Sequence, residues 1–376
     1  MKHLLAILSI LGLMLSCGNS DSNKKSGSVL REISREGRVI FKSLPLSGSV
    51  QETNNFWSGD HWPLNKSSVN YRWQTREANS LEYQSPSFDE LTTMTEEEIS
   101  LLSPSEKYDI FMGNYDYPFK KSVQTKINLI ALAWEGIGDG WAASTTFHGE
   151  PEPVTLTNKD NITVSFASSD VKALLSYYYS HFHSSAKEQM GLRCNSPQET
   201  AAEDPNCNED LTPAQFHIAL ARVIGAKKQT LVMDLDRYNQ VWNHPILSYE
   251  STVIQDGDPA SEAPKEAKTT VAIKTKVTYL DRSYNHAWNT VKNTWNQVKT
   301  NRVYSYHLHL NAKGEIIGSN WVSFDRPDFL WLPQMASSFT GPLAGLSKIL
   351  KAAPVEAPAP ESNENTETEE NEVSAQ

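Results

Sequence analysis

A histidine and an aspartate that lie close together in the chain are the side chains best suited to chemistry. His217 lies in the helix-like stretch Phe216–Leu220, and Asp234 ends an apolar run that begins at Leu231. An imidazole that accepts a proton and a carboxylate that orients it are two of the three groups of a Cys-His-Asp acyl-transfer site. The pattern therefore predicts acyl-transfer chemistry, provided that a nucleophile is present.

The cysteines do not supply that nucleophile in an obvious way. The segment 134–142, which reads Trp-Glu-Gly-Ile-Gly-Asp-Gly-Trp-Ala, contains none, and the chain has only Cys17, Cys194 and Cys207. Cys194 and Cys207 bracket a polar loop, and in an exported protein such a pair is predicted to form a disulfide that contributes about 3 kcal/mol. The alternative is that Cys194 stays free and serves as a displaced nucleophile.

The first residues are typical of an export signal. Lys2 and His3 precede an apolar run over 4–15, which is too short to span a bilayer comfortably, and Ser16-Cys17 follows. This pattern resembles a bacterial lipoprotein signal, with 1–16 removed and Cys17 lipidated. Gly18 and Asn19 lack the acidic residue that holds lipoproteins at the inner membrane, so we expect an anchor in the outer membrane of the cell envelope. An ordinary secretory signal with an incidental cysteine is the alternative.

The charge of the chain is concentrated at its end. The formal net charge is −11, and residues 351–376 hold seven Glu and one Lys. The segment from about 352 has few large apolar residues, and we predict that it is disordered. The sequence contains no basic patch, so we do not expect a nucleic-acid partner. We assign 17–50 as a tether, 51–335 as the folded domain and 336–376 as a tail.

The positioning elements change in type along the chain. Cap signals and apolar spacing predict helices that begin at Thr95, Ser103, Ser169 and Asp210 and near Trp141. Alternation of apolar residues predicts antiparallel strands in 154–166, 271–279, 304–310 and 315–322. Helices first and a sheet afterwards are typical of an α+β fold.

Several short motifs in a fixed order resemble the transglutaminase elicitor family. They are Gly59-Asp60-His61-Trp62-Pro63, Tyr71-Arg72-Trp73, the segments 102–109, 169–179 and 213–219, Val241-Trp242-Asn243-His244-Pro245, 314–321 and 327–331. The resemblance implies a papain-like, transglutaminase-like core with a helical N-terminal part and a C-terminal antiparallel sheet. It also implies protein-glutamine γ-glutamyl transfer, in which a thiolate attacks a glutamine amide and an amine or water then takes the acyl group. Protein or peptide ligands bearing Gln or Lys are the implied partners.

The resemblance also implies roles for individual residues. His217 would be the base and Asp234 its orienter, Gly138 would occupy the nucleophile's position, and Trp141 would lie on the nucleophile's helix. The cleft would be formed by Trp134, Asp139, Trp141 and Trp242. Members of the family depend on calcium, so Ca²⁺ is an implied cofactor.

The chain departs from the family at its most important position. Where the family has Trp-x-Gly-x-Cys-His-Gly-Trp-Ala, Cys-His is replaced by Gly138-Asp139. Losing the nucleophile of a comparable triad costs about six orders of magnitude in turnover. We therefore predict a pseudoenzyme that keeps a peptide-binding role. The alternatives are an active acyltransferase or glutamine deamidase that uses Cys194, and a structural envelope protein spaced by its acidic tail.

Three other residue pairs have spacings that could suit a metal. They are His181 with His183, His307 with His309, and Asp256 with Asp258. Paired histidines on one strand only share a face, and the aspartates lack the remaining ligands of a calcium loop. We assign no metal site to them.

Overall fold

The computed structural model describes residues 30, 39–51, 56–73, 75, 83–183, 188–194, 207, 210–283 and 298–352. The predicted signal peptide at 1–16, the lipidation site Cys17 and the acidic tail beyond 352 lie outside these residues. Within them, no helix has both the length and the apolar character needed to cross a bilayer.

Most helices lie in the first part of the chain. Among the described residues the α-helices are α1 (Phe88–Leu91), α2 (Glu96–Ser100), α3 (Pro104–Phe111), α4 (Pro118–Gln124), α5 (Gly138–Phe147), α6 (Ser168–His181), α7 (Pro213–Ala219) and α8 (Leu346–Ala352). Helix α7 continues as a π-helix over Leu220–Ala226. The predicted capping boxes are confirmed, since the Thr95 and Ser103 side chains accept hydrogen bonds from the backbone of Glu98 and Glu106.

Strands dominate the second part. They are β1 (Ser47–Ser49), β2 (Val154–Thr157), β3 (Thr163–Phe166), β4 (Glu188–Met190), β5 (Leu231–Asp234), β6 (Asn243–Gly257), β7 (Thr269–Leu280), β8 (Lys299–Leu310), β9 (Ile316–Trp321) and β10 (Leu330–Leu332). The main antiparallel sheet has the order β4-β10-β5-β6-β7-β8-β9, with β1 paired to β6, while β2 and β3 form a separate hairpin. The predicted α+β class is confirmed.

Two helices cover one face of the sheet. Phe216 of α7 packs against Tyr304 and Tyr306 of β8, and Trp141 of α5 packs against His244 of β6. The side chains that alternate with the buried ones on β7, such as Lys274 and Lys276, are exposed. The hydrophobic core therefore lies between this face and the helices.

The start of α5 is fixed by its contact with α6. A Cβ atom on Gly140 would lie 1.9 Å from the Ser176 carbonyl oxygen and 2.8 Å from the Ser180 nitrogen. Only glycine permits this approach, because those atoms belong to the backbone of α6. This contact fixes the position of α5 relative to α6, and it thereby fixes the position of Gly138.

A buried ion cluster holds the segment that precedes α1 against α3. Glu106 accepts hydrogen bonds from Arg72 at 2.7 Å and from Lys120 at 2.8 Å, and its side chain is fully buried. Burial acts to raise the pKa of Glu106, but the hydrogen bond from Arg72 and the charge of Lys120 outweigh it and lower the pKa to about 2. Glu106 thus stays ionised at neutral pH and anchors Arg72.

The predicted limits of the folded domain are too narrow. Part of the assigned tether belongs to the fold, since Phe41 and Val50 are buried and the Phe41 nitrogen donates to Gly314 at 3.0 Å. Part of the assigned tail does too, since Leu346 and Ile349 of α8 are fully buried. In both segments isolated apolar residues within polar sequence pack on the body, which composition alone does not reveal.

Candidate active site

Gly138 begins α5 at a position with room for a side chain. The Ile137 nitrogen donates to the His61 carbonyl at 2.7 Å, and no side chain caps the helix. A Cβ atom on Gly138 would meet a single neighbouring atom of the described residues within 4 Å, the His61 Cβ at 3.5 Å. That is an ordinary contact, so the backbone could carry a small side chain here without moving.

A cavity of about 500 Å³ opens in front of Gly138, and we call it the central cavity. The predicted cleft residues Trp134, Asp139, Trp141 and Trp242 all line it together with Gly138. Asp139 accepts a hydrogen bond from the Ser180 hydroxyl at 2.9 Å, and the Trp141 indole donates to the Trp57 carbonyl. The structure therefore brings these five predicted residues to one place.

One wall of the central cavity is a stack of the predicted cleft residue Trp242 with Arg282 and His61, to which the sequence analysis had assigned no role in the cleft. The Arg282 guanidinium lies 3.4 Å from the centre of the Trp242 ring, and its Nη1 lies 3.1 Å from His61 Nδ1. His61 Nε2 donates to the Ala133 carbonyl at 2.8 Å. Burial acts to raise the pKa of Asp60, but its hydrogen bond to His61 and the nearby charges hold the pKa below its ordinary value.

His217 lies in the core and is not among the residues of the central cavity. Its Nδ1 forms a 2.7 Å hydrogen bond with the Tyr306 hydroxyl, its ring packs on Phe41, and its Nε2 has no partner among the described residues. Burial lowers the pKa of His217 to about 4. The imidazole is therefore neutral at pH 7 and supports the packing of α7 on β8.

Asp234 is buried elsewhere, at the end of β5. Its Oδ1 accepts a hydrogen bond from the Trp242 nitrogen at 3.2 Å, and burial raises the pKa of its carboxyl well above the ordinary value. His217 and Asp234 thus bond to different partners, and the predicted base–orienter pair is not formed. The reason is geometric: α7 turns His217 onto Tyr306, whereas Asp234 holds the loop before β6.

The burial of His217 predicts a dependence of stability on pH. The folded state resists protonation down to about pH 4, whereas the unfolded state takes up the proton near 6.5. The contribution of His217 to stability is complete above about pH 6.5 and is lost as pH falls toward 4. The difference in free energy of unfolding between the unaltered protein and His217→Gln should therefore fall by up to about 3 kcal/mol over that range. Denaturant titrations would contradict this if the difference stayed constant.

A second imidazole, that of His244, contacts the helix that begins at Gly138, although it is not among the residues that line the central cavity. His244 Nδ1 donates to the Leu280 carbonyl at 3.0 Å and lies 3.7 Å from Asp281 Oδ1, which leaves Nε2 as the basic nitrogen. Its ring meets that of Trp141, one helical turn after Gly138. Burial lowers the pKa of His244 to about 4, although Asp281 acts in the opposite direction. The motif Asn243-His244-Pro245 was visible in the sequence, but its pairing with the end of β7 was not.

The predicted disulfide is confirmed. Cys194 and Cys207 are bonded, with a Cα–Cα distance of 4.5 Å, and Cys194 is fully buried. A sulfur in a disulfide is not a thiolate nucleophile. The alternative in which Cys194 is a free, displaced nucleophile is therefore wrong.

The described residues do not offer a cradle for calcium or another metal. No group of three or more His, Cys, Asp or Glu side chains within them is arranged to hold an ion. His307 instead pairs with Glu262, and His309 bonds to Thr270 and Asn320. Asp256 and Asp258 are exposed at and beyond the end of β6. These side chains do not fit a bound Ca²⁺, and we derive no step through one.

Comparisons with known proteins identify the family and the fold. The family model described as transglutaminase elicitor matches residues 36–341. The crystal structure of the GP42 transglutaminase from Phytophthora sojae is similar in fold, with a TM-score of 0.61 and 22% sequence identity over 86% of this chain and 96% of that chain. None of the curated proteins matches the chain.

Proposed function

The chain belongs to the transglutaminase elicitor family, and we propose that it binds glutamine- or lysine-bearing peptides in this family's cleft without performing the family's reaction. The proposal depends on one observation. Gly138 begins α5 at the central cavity, where there is space for a side chain, and glycine has none. Glycine cannot form an acyl intermediate, and the disulfide removes Cys194 from consideration.

The central cavity retains groups that suit an amide or amine ligand. The first N–H groups of α5 have no side-chain cap and can donate to a carboxamide oxygen, as the donors of an oxyanion hole do. The Asp139 carboxylate can accept from an amide N–H or pair with an amine. Trp134, Trp141 and Trp242 supply apolar walls for the methylene groups of Gln or Lys.

Peptide titrations test the binding role. A labelled peptide with one glutamine should bind the unaltered protein, and Trp242→Ala should weaken it about tenfold because the indole forms a wall of the cavity. Trp321→Ala is a matched control, since that indole packs on Phe216 and does not line the cavity. Equal affinity for all three proteins would contradict the proposal.

We further propose that the protein acts at the bacterial cell envelope, held by a lipid on Cys17, with the outer membrane as the site. The proposal rests on the apolar run 4–15 followed by Ser16-Cys17 and on the absence of an acidic residue at 18 and 19. Fractionation of cells that express the unaltered protein or Cys17→Ser tests it. The substitution should release the protein from the membrane fraction, and retention would contradict the anchor.

A further inference from the structure

A second cavity adjoins the central one, and we call it the flanking cavity. Its volume is also about 500 Å³, and it shares four wall residues with the central cavity: His61, Trp134, Trp242 and Arg282. The two cavities therefore lie on either side of the stack formed by Arg282 on Trp242. The two cavities are therefore neighbours, and an extended ligand that occupies the central cavity lies close to the flanking one.

The remaining wall of the flanking cavity includes an apolar part beside its polar residues. Pro63, Trp73, Leu132 and Ala133 line it. Leu132 is 55% exposed although its side chain is large and apolar. Burying such a side chain against a ligand would release about 0.8 kcal/mol for each methylene group covered.

Two residues of this wall each carry a buried polar atom without a hydrogen-bond partner among the described residues. The Trp134 indole N–H is a buried donor and the Asn65 side-chain oxygen is a buried acceptor, and neither has a hydrogen-bond partner among the described residues. An unpaired buried polar atom costs about 1–3 kcal/mol, so a ligand that satisfies both gains affinity. A peptide group offers one acceptor and one donor and matches this pair.

Two of the charged side chains in this wall already contact other protein groups. The Asp60 carboxylate faces His61, and the Arg282 guanidinium lies on Trp242 and against His61. Lys66 is exposed to solvent. Because the Asp60 and Arg282 side chains both contact His61, a neutral ligand fits this cavity better than an ionised one.

We propose that the flanking cavity is a subsite for a large apolar residue next to the glutamine of an extended peptide. The side chain of that residue packs on Trp73 and Leu132, and its peptide group bonds to Trp134 and Asn65. The inference rests on the proposed function, because it takes the glutamine to occupy the central cavity. It makes Leu132 a specificity-determining residue.

The test compares two capped pentapeptides by calorimetric titration of the full chain. Both have a central glutamine, which is flanked on both sides by leucine in one peptide and by alanine in the other. The leucine peptide should bind at least about tenfold more tightly. Asn65→Ala should weaken both peptides alike, by about fivefold, because the peptide group is common to them.

Two variants of one loop provide the matched control. Leu132→Ser should remove the preference for the leucine peptide, whereas Leu129→Ser should keep it, because Leu129 is also exposed but does not line the cavity. If both peptides bind equally to the unaltered protein, the subsite is overturned while the proposed function stands. If neither peptide binds, the proposed function fails and the subsite fails with it. An equal loss of preference in both variants also overturns the subsite.

Discussion

Gly138→Cys is expected to turn the protein into a catalyst of amine incorporation into glutamine-bearing proteins. The unaltered chain should show only the background rate, and the variant should exceed that rate by at least about 10³-fold, a part of the six or so orders of magnitude that a triad nucleophile supplies. The physical reason is that the position is open. The introduced Cβ atom meets the His61 Cβ at 3.5 Å and nothing else within 4 Å among the described residues. The thiol would also stand at the start of α5, where the helix dipole favours a thiolate.

Further variants of the same protein identify the base. In the Gly138→Cys background, His244→Gln should abolish the gain, because His244 has its Nδ1 fixed by the Leu280 carbonyl and its Nε2 left basic. His217→Gln should retain the gain in protein that is still folded, because His217 bonds to Tyr306 in the core. Gly138→Ala controls for the backbone change. A folded Gly138→Cys protein that binds peptide but incorporates no amine would contradict our assignment of the nucleophile's position.

Gly140→Ala is expected to disrupt the packing of α5 on α6, with a loss of stability above the roughly 1–3 kcal/mol typical of overpacking. The added methyl group would overlap the Ser176 carbonyl at 1.9 Å, and a backbone atom cannot move aside as the end of a side chain can. Because a domain is stable by only about 5–15 kcal/mol, the thermal midpoint should fall markedly. Calorimetric melting is the measurement.

Gly138→Ala is the matched control for this loss of stability. It makes the same chemical change two residues earlier in the same helix, at a position with ordinary contacts. Alanine is favoured over glycine in helices by about 1 kcal/mol, so this variant should be neutral or slightly more stable. If the two substitutions had equal effects, the close approach of α5 and α6 at Gly140 would not be the structural constraint that we infer.

The local elements were predictable because their signals are local. The helices at Thr95 and Ser103 were predictable because each of these side chains accepts a hydrogen bond from the backbone N–H three residues later. The alternation of apolar residues from Tyr304 reflects the one buried face of β8. The order of motifs also identified the fold and the cleft, including Trp134 and Trp242. The capping boxes and the strand alternation depend on residues that are near one another in sequence, whereas the fold and the cleft were inferred from the order of several motifs along the chain.

The pairing of catalytic groups was not predictable in this way. His217 and Asp234 are close in the chain but point to Tyr306 and Trp242, whereas His244 meets Asp281 only because the long β6–β7 hairpin returns the chain to its start. His61 reaches Gly138 through a loop that precedes α5 by many residues. Long-range register, which single-sequence patterns do not encode strongly, decides which imidazole lies against α5.

We propose that the protein has a transglutaminase-like cleft without a nucleophile, and release of ammonia from a glutamine peptide tests this proposal most directly. Transfer to an amine and hydrolysis by water both release ammonia, so one assay covers both reactions. The unaltered protein, with or without added calcium and a primary amine, should release no more ammonia than the peptide alone. Ammonia release above that level, and its loss in His244→Gln or His217→Gln, would show that a nucleophile other than residue 138 is at work and would contradict the claim.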